Sequence, residues 1–86
     1  MKTKIYTFVT NQVIDDENLG VRVNVYPTRE EAMRVFSDWR DEELKYAERD
    51  GWTVAQNGED WYEAYLDGEY AGNHSEGFID EHTVEL

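Results

Sequence analysis

The residues of this chain able to do chemistry are two histidines and a large set of carboxylates. His74 and His82 stand eight apart, with Glu76, Asp80, Glu81 and Glu85 around them. Two imidazoles and a carboxylate can hold zinc or non-haem iron, but such sites rely on helical i, i+3 or i+4 spacing or on rigid strand placement. A spacing of eight shows neither, so surface histidines are the expectation. His82 beside Asp80 is no more specific as a general base.

The run Asp67-Gly68-Glu69-Tyr70-Ala71-Gly72 has the look of a calcium loop. Aligned on Asp67, it puts Gly72 correctly at position six, but Ala71 at five offers no ligand oxygen and Phe78 stands where a bidentate glutamate is required. A turn is the expectation there, as it is for Asp15-Asp16-Glu17-Asn18. Glu63 with Glu69, or Asp80 with Glu85, could be paired as glycosidase carboxylates, yet an acidic chain supplies such pairs by composition alone. There is no cysteine, no Gly-x-Ser-x-Gly elbow and no phosphate-binding glycine loop. The expectation is a protein that is not an enzyme and carries no metal or cofactor.

Charge is the stronger lead. Residues 1–40 balance Lys2, Lys4, Arg22, Arg29, Arg34 and Arg40 against six acids, whereas residues 41–86 set fourteen acids against Lys45 and Arg49 alone. The whole formal charge of −12 therefore sits in the second half. Such an asymmetry attracts cationic surfaces and bears on association more than on fold. It argues against direct contact with nucleic acid or anionic lipid, which both need Lys and Arg. In size and charge the chain is similar to small acidic proteins that imitate DNA and occupy nucleic-acid-binding proteins, a class often encoded by phages and mobile elements. The competing reading is that the charge serves solubility.

The 86 residues suit a single domain, 1–86, with a modest core that twelve aromatics help to fill. The apolar stretch after Lys4 is broken by Thr7 and Thr10, too short and polar for a secretory signal. Nowhere do 18 apolar residues run together. With no cysteine to form disulfides, a cytoplasmic location without membrane contact is expected.

The elements that must position these groups read as α+β. Thr3 to Thr10 and Val21 to Tyr26 form a hairpin around a longish acidic turn, Asp15 to Gly20. Thr28-Arg29-Glu30-Glu31 is a capping box, so one long amphipathic helix starts at Arg29, buries Ala32, Val35, Phe36, Trp39, Tyr46 and Ala47, and stops at Gly51. A three- to four-stranded β-meander follows, turning at Asn57-Gly58 and Asp67-Gly68. Two-residue turns would set Val54 opposite Trp61 and Trp61 opposite His74. The segment Phe78 to Leu86 reads as a last strand or a short helical turn.

One helix covers one sheet face only. With Trp52, Val54 and Trp61 assigned to the core, Tyr62 and Leu66 point outward, beside Glu63, Glu69, Asp80 and Glu81, as the expected interaction surface for a basic protein partner. A homodimer using that face is the alternative, with a metal-assisted enzyme well behind. Glu43 falls in the middle of the helix's apolar stripe. Such a carboxylate must overhang the sheet or find a buried partner, for which Arg22 and a tyrosine hydroxyl are the candidates.

Overall fold

The computed structural model describes residues 1–14, 17–66 and 73–85. In chain order the elements are β1 (Lys2–Ile14), β2 (Glu17–Tyr26), α1 (Arg29–Asp50), β3 (Thr53–Asn57), β4 (Trp61–Tyr65) and β5 (His74–Glu85). The strands form one antiparallel sheet in the order β2-β1-β5-β4-β3, with α1 packed on one face. The expected α+β class is therefore the observed one.

The helix follows its sequence signals closely. Thr28 is extended, and its hydroxyl accepts the Glu31 N–H at 3.2 Å. Gly51 takes φ 77°, a left-handed cap that suits glycine, and its N–H reaches the Ala47 carbonyl. Ala32, Phe36 and Ala47 are buried, but Tyr46 lies exposed beneath the Arg49 guanidinium.

The core forms where α1 crosses the middle of the sheet. Phe8, Ala32, Phe36, Tyr62, Ala64 and Ile79 are buried together. Trp39 is the keystone, meeting Phe8 and Tyr62 edge-on at 5.5 Å between ring centroids. Its six-membered ring closes on Gly77, where an added Cβ would come within 2.6 Å of Cη2. Only a residue without a side chain permits that approach.

The strands depart from the sequence reading in several ways. β1 and β2 extend until two residues separate them, with an irregularity between Gln12 and Val13, so the hairpin loop is shorter than the expected Asp15–Gly20 turn. β1 and β5, at 13 and 12 residues, are longer than the ~33 Å of the 22-residue helix. The sheet overhangs the helix. The Asn57-Gly58 turn is not a two-residue one: Asn57 pairs with Tyr62, and the Gly58 N–H donates to the Trp61 carbonyl at 2.8 Å. An irregularity between Val54 and Gln56 shifts the register again, so Val54 faces Ala64 rather than Trp61. Trp61 is opposite Phe78, not His74. The C-terminal segment is a strand and holds the centre of the sheet. The Asp67-Gly68 turn lies outside the described residues.

Candidate functional site

β4 therefore turns the opposite face to α1 from the one expected, while Val54 of β3 keeps to the helix side, opposite Ala64. Tyr62 is 1% exposed and belongs to the core, whereas Trp61 is 41% exposed on the face away from α1. The expected outward position of Tyr62 is therefore overturned. Leu66 is half-buried, and Val54, assigned to the core, is exposed.

In an antiparallel pair, opposed residues share a face and alternate residues change face. On the uncovered face, Val23 stands opposite Val9, Val9 opposite Phe78, and Phe78 opposite Trp61. This apolar row crosses four strands, about 14 Å at the usual strand spacing. Rows of Val25, Thr7 and Asp80 on one side, and of Val21, Asn11, Glu76 and Glu63 on the other, flank it. At the end nearest β4, a shallow groove of about 340 Å³ is lined by Asp60, Trp61, Glu76, Phe78, Ile79 and Asp80.

The carboxylates here have defined neighbours. Glu63 and Glu76 are directly opposed, an arrangement of like charges that destabilises a sheet pair. Each carboxylate is tied to a diagonal neighbour. The Trp61 indole N–H donates to Glu76 at 3.4 Å, and His74 Nε2 lies 3.3 Å from Glu63 Oε2. Thr7 Oγ1 and His82 Nε2 are 3.0 Å apart farther along the face. The Arg29 guanidinium reaches Asp60 at 3.8 Å from the helix side.

All eight Lys and Arg residues lie away from this face. Lys2, Lys4 and Arg22 share the helix-facing alternation with Phe8, and the other five are on α1. Among the strand residues described on the uncovered face, the acids Glu63, Glu76 and Asp80 meet no Lys or Arg of that face.

The structure separates other residues that the sequence placed together. Glu81 lies on the helix side, accepting a hydrogen bond from Tyr6 at 3.1 Å and pairing with Lys4 at 3.8 Å, so it does not share a face with Asp80. Asp80 and Glu85 likewise fall on opposite faces. Eight residues of extended strand put His74 and His82 roughly 27 Å apart, too far for one metal. Glu69 and the start of the calcium-like run lie outside the described residues.

Glu43 is neither overhanging nor paired with Arg22. Its Oε1 accepts hydrogen bonds from Gln12 Nε2 and, at 3.2 Å, from Ser75 Oγ. Burial nevertheless raises its pKa above the ordinary 4.5, outweighing those two bonds, and the Glu42 charge raises it further. Tyr62 is pushed up to about 12, first by burial and then by the Glu43 charge.

Phe78 and Asp60 carry no signal of their own in the sequence, and Glu76 stands out there only as a neighbour of the histidines. The available signal was the alternation Ser75-Gly77-Ile79 against Glu76-Phe78-Asp80, which assigns faces once the whole segment is read as one strand. Comparison with protein-family models, with curated proteins and with solved structures finds no significant match to this chain.

Proposed function

We propose that this protein is a non-catalytic interaction module whose uncovered sheet face binds a basic partner protein. The observation that carries this reading is the segregation of charge by face: Trp61 and Phe78 sit among Asp60, Glu76 and Asp80, while the Lys and Arg residues occupy the other side. An Arg or Lys of the partner gains both ion pairing and the face of an exposed indole, the latter about 0.5 to 1 kcal/mol. A second copy of the chain would bring the same carboxylates to the same place, so like charge opposes self-association through this surface.

No described helix is long and apolar enough to cross a membrane. We place the protein in the cytoplasm, where a chain without cysteine loses nothing to reducing conditions. Where the partner binds nucleic acid, the face acts as a mimic, and duplex or single-stranded nucleic acid competes for the same partner site.

Capture of partners from the native lysate at low salt, elution at high salt, and titration of the purified partner test the reading. Trp61→Ala is expected to weaken binding at least tenfold, because exposed aromatics anchor interfaces. The pair Glu76→Gln and Asp80→Asn should weaken it further and flatten its salt dependence. All these residues lie on the solvated face, so the melting temperature should move little. A partner indifferent to salt and to these substitutions overturns the proposal, and salt-insensitive self-association would favour a homodimeric module.

A further inference from the structure

On the opposite side of the sheet, α1, the end of β1 and β5 enclose a second concavity of about 200 Å³, lined by Ile14, Glu43, Tyr46, Ala47, Arg49, Asp50, Trp52, Tyr62 and Ser75. We propose that it is a binding site for a primary alkylammonium group, the head of a lysine side chain or of a small aliphatic amine, with Glu43 as its counter-ion. The proposal is independent of the outer-face reading, because the two sites share no residue.

Glu43 is a half-buried carboxylate with hydrogen-bond donors and, among the described residues, no cationic partner. A charge so placed costs free energy that a cation in the cavity returns. Both donors reach the same oxygen, Oε1, which leaves Oε2 to accept a further one. A guanidinium fork needs both oxygens of a carboxylate, whereas an ammonium is a point donor served by one. The geometry therefore favours the amine.

The remaining lining suits the rest of such a ligand. Trp52 and Tyr46 supply aromatic surface, which attracts cations, and Ile14 and Ala47 supply contact for methylenes. The nearby guanidinium of Arg49 does not fill the role. It is held by Asp50 through two hydrogen bonds of 2.9 and 3.1 Å and lies 4.9 Å over the Tyr46 ring.

The test uses n-butylammonium chloride as the probe and n-butanol as its uncharged counterpart, read from amide and indole NMR shifts of the whole chain. Saturable shifts are expected at the Trp52 indole and the Gln12 side-chain amide, and not at the Trp61 indole, with butanol binding at least tenfold more weakly. Glu43→Gln keeps the size and the Oε1 acceptor and should reduce butylammonium affinity at least tenfold. Butanol binding as well as butylammonium, or an unchanged affinity in Glu43→Gln, would reduce the site to an apolar cavity and overturn the proposal. So would the absence of saturable shifts. Should Glu43→Gln not fold, the wild-type titration repeated at falling pH decides the point. Glu43, with Asp50 the other carboxylate of the lining, takes up its proton first, since its pKa is raised and that of Asp50 is lowered by Arg49. Affinity must fall as it does, and affinity indifferent to pH overturns the assignment.

Discussion

At the scale of single residues, Gly77 shows how a small choice fixes the core. It is neither a turn residue nor a left-handed one; its role is to let the Trp39 ring lie on the backbone of β5. Gly77→Ala places a methyl group within 2.6 Å of the indole, which Phe8, Phe36 and Tyr62 hold from other sides. Overpacking of this kind costs about 1 to 3 kcal/mol. Denaturant melts should show that loss, together with a changed near-ultraviolet signal from Trp39. Gly58→Ala is the control, because its Cβ meets only the Trp61 carbonyl oxygen at 3.4 Å. Equal stability of the two variants would mean that the ring is free to move.

At the scale of elements, α1 was legible and the meander was not. The helix carries its instructions locally, in the Thr28 cap, the apolar spacing and the Gly51 stop. Thr28→Ala should therefore cost about 0.5 to 2 kcal/mol, the usual loss for such a cap, checked by a shift of the denaturation midpoint at constant slope. An unchanged midpoint would show that other contacts hold the first turn. The strands depend instead on register, and a slip of one residue exchanges the faces. Asn57-Gly58 signals a two-residue turn, but the chain forms a longer loop with an irregularity near Ala55, and Tyr62 lies inward with Trp61 outward. The outward valines of β2 alternate as a half-buried strand does, yet Val21, Val23 and Val25 remain 63, 55 and 60% exposed because no layer covers them. Periodicity identifies a face without saying whether anything lies on it. For the same reason the apolar stripe of α1 marks Glu43 as anomalous, while its partners Gln12 and Ser75, brought together by the pairing of β1 with β5, leave no trace in the local sequence.

At the scale of the whole molecule, a net charge of −12 on 86 residues makes the fold sensitive to both salt and pH. Self-repulsion opposes compaction, so added salt should raise the melting temperature at pH 7 by screening. The pH dependence has separable parts. Glu43 has a folded-state pKa above its ordinary 4.5, chiefly because it is buried, so the folded state holds that proton to higher pH than the unfolded chain does. Its stabilising contribution is complete below about pH 4.5 and is lost as pH rises through the raised value. Asp50 behaves oppositely. The Arg49 hydrogen bonds lower its pKa below 3.8, so its contribution is present above that value and disappears as pH falls through the lowered one. Tyr62 acts at the alkaline end, its contribution being lost as pH rises from 10.0 toward about 12. Mild acidification from neutral should therefore raise the melting temperature before stronger acid lowers it. Glu43→Gln, which cannot titrate, should remove much of the rise while leaving the salt effect at pH 7 largely in place. Thermal melts of both proteins at several pH values and two salt concentrations separate these contributions. A rise that survives Glu43→Gln but vanishes in high salt would assign it to general repulsion among the carboxylates rather than to Glu43.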